Sequence, residues 1–197
     1  MEEIRKVPFC RTKSSSKILK IIQKIIISSV FALATAYAAQ LKIFLPWTPV
    51  PITLQTLIVL LSGVFLGKWW GSFSQILYVS CGILGVPLFA GMGSGLAVIL
   101  GPRGGYLIGF ILISFFIGHF KNGLFKKSET FKNFIKISLI YSILIYGLGC
   151  LHLGFWIWLT KGSVPSFDNV LALGAIPFIP GDLLKIFVVS KFLSTKT

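Results

Sequence analysis

Pro180-Gly181-Asp182-Leu183-Leu184-Lys185 sets an acid and a base three residues apart inside an otherwise apolar segment. On one turn of a helix, positions i and i+3 share a face, so Asp182 and Lys185 can point together at a ligand or at each other. The chain has 5 acidic residues in all, and those other than Asp182 lie in tails or loops. A charge held at membrane depth costs about 2.5–3.5 kcal/mol on insertion scales, so such residues are rare and usually functional. Lys185 and Arg103 favour an anion, most simply a carboxylate. Asp182 can accept hydrogen bonds from ligand N–H groups. Tyr106, Phe89 and Trp47 offer aromatic wall, and Gln55 and Thr53 add polar groups. A small apolar molecule with N–H donors at one end and a carboxylate at the other matches this set. A second use of the pair stays open: Asp182 can satisfy backbone N–H groups at a helix start, with Lys185 pairing to it and snorkelling outward.

The elements that must position these groups are those of an integral membrane protein. The chain of 197 residues is 55% hydrophobic and only 12% charged, with a mean hydropathy of +0.88; soluble domains carry about 25% charged residues. Met1–Lys24 reads as a basic cytoplasmic tail and residues 25–197 as a single membrane domain. Its spanning candidates are Ile25–Leu45, Leu54–Gly67, Ser72–Leu88, Tyr106–Phe120, Ile137–Leu159 and a sixth from Pro180 to about Leu193. The fold expected is an all-α six-helix bundle. Leu54–Gly67 is short: about fourteen residues rise only about 21 Å, against a hydrocarbon core of about 30 Å.

Charge orients the bundle. With the N-terminus inside, the cytoplasmic parts hold seven basic residues in the tail, then Lys68, five in Lys121–Lys136, and Lys191 and Lys196. The outer loops hold Lys42, Arg103 and Lys161. That imbalance follows the positive-inside rule and gives an N-in, C-in topology. The formal charge of +14 is therefore matched to anionic lipid headgroups rather than to nucleic acid. In this topology Asp182, Lys185, Arg103, Tyr106 and Gln55 come from three separated segments to one level near the outer face.

Other chemistries find little support. Cys10, Cys81 and Cys150 form no CxxC pair and read as small core residues. His119 and His152 lack acidic neighbours, so no metal is expected, and no cofactor. Gly63-Val64-Phe65-Leu66-Gly67-Lys68-Trp69 superficially resembles a P-loop, but has one residue too few between the glycines and no Ser or Thr after the lysine. The chain is thus not expected to be an enzyme. Ala36-Tyr37-Ala38 after a basic tail has the look of a signal-peptide cleavage site, yet the apolar run continues past it. On the first helix, Ser28-xxx-Ala32-xxx-Ala36, overlapped by Ala34-xxx-Ala38, makes a stripe of small residues. Such a stripe lets another helix approach closely, either within the bundle or from a separate membrane subunit.

Four ordered motifs carry a family resemblance. They are Thr48-Pro49-Val50-Pro51-Ile52-Thr53-Leu54-Gln55-Thr56, the run Gly82–Gly91, Gly101-Pro102-Arg103-Gly104-Gly105-Tyr106-Leu107-Ile108-Gly109, and Pro180–Lys185. Together they resemble BioY, the biotin-binding S component of energy-coupling factor (ECF) transporters, over roughly Ala32–Lys185. The resemblance implies a six-helix fold in the bacterial inner (cytoplasmic) membrane that captures biotin from outside. It implies as partners a transmembrane coupling protein and two cytoplasmic ATPase subunits. By motif position Asp182 and Lys185 would contact biotin, with Tyr106 beside them. The stripe Ala32–Ala36 would correspond to the surface used on the coupling protein. Different readings are a stand-alone facilitator, an S component for another vitamin, and a membrane-embedded enzyme acting on a lipid, for which no adequate catalytic pair is present.

Overall fold

The computed structural model describes residues 13–121 and 129–195. Most of the basic tail, Cys10, part of the Lys121–Lys136 loop and Lys196 lie outside the described residues. The elements run α1 (Lys13–Gln40), β1 (Lys42–Ile43), β2 (Ile52–Thr53), α2 (Gln55–Ile83), α3 (Leu96–Leu100), α4 (Gly104–Phe120), α5 (Thr130–Tyr141), a π-helical turn (Ser142–Gly147), α6 (Leu148–Lys161), α7 (Phe167–Gly174), a 3₁₀ turn (Ile176–Phe178) and α8 (Ile179–Thr195). β1 and β2 form a two-residue antiparallel ribbon pairing Lys42 with Thr53. Four helical stretches are long and apolar enough to cross a membrane, and Gly104–Phe120 is a shorter apolar helix.

α2 is one element by hydrogen bonding but two helices in space. Gly67 inside it has φ 78° and ψ −178°, a conformation a Cβ would disfavour. A Cβ added at Gly71 would stand 3.0 Å from the Cα of Gly63. In a straight helix those residues would lie about 12 Å apart along the axis. The chain therefore doubles back at Gly67, and the two arms, residues 55–66 and 68–83, lie side by side. The sequence places the break around Lys68; the structure needs only the one residue before it. With the arms counted separately, α1, the arms, α4, the α5–α6 helix and α8 make six helical units among the described residues.

The units share two ends. At the Gly67 end, Ser28 Oγ donates to the Trp70 carbonyl at 3.2 Å and Lys121 Nζ to that of Val64 at 3.1 Å. At the other end, called the mouth, Gln40 Nε2 donates to the Phe89 carbonyl at 3.1 Å and Gln40 Oε1 accepts from Met92 N–H at 3.2 Å. Between them Gln75 Nε2 lies 3.4 Å from Thr35 Oγ1, 3.3 Å from Ser62 Oγ and 3.1 Å from Ser74 Oγ. Ser62 Oγ in turn lies 2.8 Å from Ser114 Oγ. This buried clasp ties α1, both arms and α4 together, as polar side chains do where no water competes.

The structure sharpens three expectations. α1 starts within the basic tail, at Lys13, because Lys17–Lys24 alternates with Ile and Leu in good helix-forming sequence. The small-residue stripe is not an open surface. Ser28 (0% exposed), Ala32 (6%), Ala36 (7%) and Ala38 (4%) are buried and Ala34 is half-buried. The stripe lets α1 pack on the α2 hairpin, and larger residues such as Leu33 and Tyr37 face outward. The fifth helix also begins earlier than Ile137, at Thr130.

A Cβ at Gly118 would overlap the backbone of Gly67 and Lys68 at the hairpin tip, where nothing can rotate away. Gly118→Ala should therefore destabilise the protein by about 1–3 kcal/mol through overpacking. Gly154, whose added Cβ would meet Val170 only at an ordinary 3.5 Å, supplies the control. Thermal unfolding in detergent should show a clear fall for Gly118→Ala and little change for Gly154→Ala.

Candidate ligand-binding site

α8 starts Ile179-Pro180-Gly181-Asp182, with Pro180 where its missing N–H is one of the helix's unpaired donors anyway. Asp182 sits in the first turn, favoured there by the helix dipole, and Lys185 lies one turn on. Both are buried, at 5% and 8% exposed. Lys185 Nζ is 2.8 Å from Asp182 Oδ1. It also donates to the Thr53 carbonyl at 2.6 Å and to Thr56 Oγ1 at 3.0 Å. An ammonium has three donors, and all three are engaged. Thr56 Oγ1 in turn donates a hydrogen bond to Asp182 Oδ1 at 3.1 Å.

The other carboxylate oxygen is held by α5 and the π-helical turn. Tyr141 OH and Tyr146 OH donate to Asp182 Oδ2 at 2.7 and 2.8 Å. These tyrosines are five residues apart. On an α-helix such positions diverge by about 140°. The π-helical turn Ser142–Gly147 spans the interval, and its wider i→i+5 repeat returns Tyr146 to the face of Tyr141. Their rings meet edge to face at 5.4 Å. The carboxylate thus has four donors from four side chains, which fills its lone-pair sites.

A pocket opens beside this cage, with about 610 Å³ of empty space including its mouth. Its lining includes Thr53, Gln55, Phe89, Arg103, Tyr106, Asp182 and Lys185, so the seven residues singled out from the sequence come together at one cavity. Trp47 does not join them; it is 60% exposed. Tyr106 turns its ring to the pocket while its hydroxyl donates to the Gly174 carbonyl at 2.6 Å. Phe89 is 1% exposed and packs edge to face on Tyr78 at 5.6 Å. Val50, Val98, Leu107, Phe110, Ile145 and Phe178 complete the apolar wall.

The polar groups away from Asp182 are less fully committed. Thr53 Oγ1 donates to Gln55 Oε1 at 3.1 Å, fixing the amide so that its Nε2 donates to Tyr78 OH at 2.7 Å. Among the described residues no acceptor takes the Tyr78 proton. Arg103 donates one N–H, from Nη1, to the Ala90 carbonyl at 2.8 Å. Half-burial lowers its pKa from the ordinary value, but a guanidinium stays protonated at neutral pH. Of the two cations nominated for an anion, Lys185 has no spare donor, whereas Arg103 has several.

Thr56, Tyr78, Tyr141 and Tyr146 were not singled out from the sequence. A signal for three of them exists. The chain has 18 Phe but only 5 Tyr, and Tyr78, Tyr106, Tyr141 and Tyr146 line this pocket. A tyrosine inside an apolar span brings a hydroxyl that must find a partner.

A bundle of six membrane-embedded helical units enclosing an amphiphilic pocket at one end is a membrane protein built to hold a small molecule. The family model described as the BioY family matches residues 11–196, and the chain belongs to that family. It is 44% identical over 127 residues to a probable biotin transporter BioY of Methanothermobacter thermautotrophicus, covering 64% of this chain and 80% of that one. It is 35% identical to the biotin transporter BioY of Thermotoga maritima, covering 85% and 91% of the two chains. In fold it is similar to a crystal structure of the S-component for biotin from an ECF-type ABC transporter, with TM-score 0.75, 24% identity and 89% and 90% of the chains covered.

The cage makes a stability prediction. Removing one member of a buried pair strands the other and costs about 3–5 kcal/mol. Lys185→Met should lower the thermal midpoint of the purified protein sharply. Adding Asp182→Asn should restore part of that loss, since the stranded charge is then gone. A double variant no more stable than Lys185→Met would contradict the pairing energetics.

Proposed function

We propose that this chain is the substrate-capture (S) component of an ECF-type biotin transporter. The observation that carries the proposal is the distribution of polar groups in the pocket: a carboxylate acceptor at Asp182, uncommitted donors on Arg103 and Tyr78, and apolar wall between. Biotin offers ureido N–H donors, an apolar bicycle and a carboxylate. In this reading the ureido N–H groups meet Asp182 and the carboxylate meets Arg103 and Tyr78, with Lys185 pairing with Asp182 and holding it in place. Thr53 and Gln55 orient Tyr78, and Phe89 and Tyr106 pack on the bicycle. The names of the relatives support the same ligand.

The bundle lies in the cytoplasmic membrane with its mouth outward, an orientation supported by the excess of basic residues that the sequence assigns to the cytoplasmic parts and by Lys24, Lys68 and Lys121 at the Gly67 end. Anionic lipid headgroups hold those basic clusters. A transmembrane coupling protein and two cytoplasmic ATPase subunits supply ATP hydrolysis in trans. Docking through Ala32 and Ala36 would require α1 to expose residues that are buried in this conformation.

A calorimetric biotin titration of the purified chain tests the ligand and its placement. Wild type should bind. Asp182→Asn should bind much more weakly. Arg103→Gln should lose about 10- to 100-fold in affinity, the worth of charge-assisted hydrogen bonds. Against biotin amide, which lacks the anion, Arg103→Gln and wild type should differ little. Absence of binding by wild type would reject biotin; normal binding by both variants would reject the placement. In cells, uptake that persists undiminished without the coupling subunits would support a stand-alone facilitator instead.

A further inference from the structure

Asp182 reaches the pocket with every lone-pair site already occupied, and this has a consequence for how a ligand gets in. Oδ1 takes Lys185 and Thr56; Oδ2 takes Tyr141 and Tyr146. A carboxylate with four donors has no ordinary site left for a fifth. A ligand N–H that bonds Asp182 must therefore replace one of them.

The four donors are not equally replaceable. Lys185 is held by two further acceptors, the Thr53 carbonyl and Thr56 Oγ1. Thr56 is buried and shares its oxygen with Lys185. Tyr141 is 1% exposed and packed in the core. Tyr146 differs in three ways. It is only half-buried. It is held in line by the π-helical turn, a less favoured backbone than the α-helix on either side. It also lines a second, open and apolar cavity between α6 and α7, walled by Cys150, Gly154, Phe155 and Val170. Its ring thus forms a partition between that groove and the inner pocket, with space on the far side.

We infer that Tyr146 is a placeholder for the ligand: its hydroxyl occupies the Asp182 Oδ2 site until a ligand N–H takes it, and the ring then yields toward the α6–α7 groove. This rests on the reading of the pocket as a biotin site. The hydroxyl of Tyr146 keeps the buried carboxylate satisfied when no ligand is present, and its displacement sets a threshold that a ligand without a matching donor does not cross. Tyr146 is in this sense a specificity-determining residue.

The test turns on the sign of an affinity change. If Tyr146 competes with ligand, Tyr146→Phe raises the free energy of the ligand-free state alone, and biotin should bind about five- to tenfold more tightly, the net effect of one hydrogen bond. Tyr37→Phe, at a tyrosine 71% exposed on α1 and outside the pocket, is the control and should leave biotin affinity within about twofold. For biotin methylated on both ureido nitrogens, which cannot take the site, Tyr146→Phe should give no gain. Titrations of full-length wild type and both variants with the two ligands supply the comparison. Unchanged or weaker biotin binding by Tyr146→Phe overturns the inference while leaving biotin as ligand intact. An equal gain for the methylated analogue overturns it as well, since the effect would then be steric. If wild type binds no biotin, the ligand assignment falls and this inference with it.

Discussion

A carboxylate taken out of water loses several kcal/mol of solvation even after its surroundings relax. In this bundle the whole mouth end is organised around avoiding that loss at Asp182. The donors come from the first arm of α2 (Thr56), from α5 and the π-helical turn (Tyr141 and Tyr146), and from α8 itself (Lys185). Three elements far apart in sequence are thus pinned to one pair of oxygen atoms. The irregular backbone of the π-helical turn follows from the same demand, since a regular helix would deliver only one of the two tyrosines.

The ligand pocket is a by-product of that convergence and of a second one. The α2 hairpin, reversed at Gly67, brings Gln55 and Tyr78 to the same level although they lie at opposite ends of a folded element. α4 enters beside them with Arg103 ahead of its first turn. The acceptor end is therefore built from α8 and the α5–α6 helix, and the donor end from α2 and α4. Apolar side chains fill the interval. Such a division gives the cavity a direction, which a ligand with unlike ends can read.

Lower in the bundle, burial is managed with small and hydroxylated residues instead of charges. Ser62, Ser74, Ser114 and Thr35 are wholly buried around Gln75. Small side chains allow the helices to approach, and their hydroxyls hold the approach in register. The stripe from Ser28 to Ala38 on α1 belongs to this inner packing.

Much of this was legible in the sequence. Hydropathy and proline or glycine breaks marked six units, because a membrane span must satisfy its backbone internally and so leaves a long apolar signature. Asp182 and Lys185 stood out because charge in such a span is costly, and motif order carried the resemblance to BioY. Where the units meet was not legible. Whether Ala32 and Ala36 face a neighbour inside or outside depends on the rotation of α1, which a stripe of small residues leaves undetermined. The five-residue spacing of Tyr141 and Tyr146 reads as two faces on a regular helix, and only the π-helical turn makes it one. Nor can spacing show that all three protons of Lys185 are taken while Arg103 keeps donors free. Composition and local pattern fix which groups must be buried or paired, since those costs are properties of single residues and segments. Which partner satisfies each group is decided by tertiary packing, because hydrogen bonds depend on distances between segments that the sequence does not hold together.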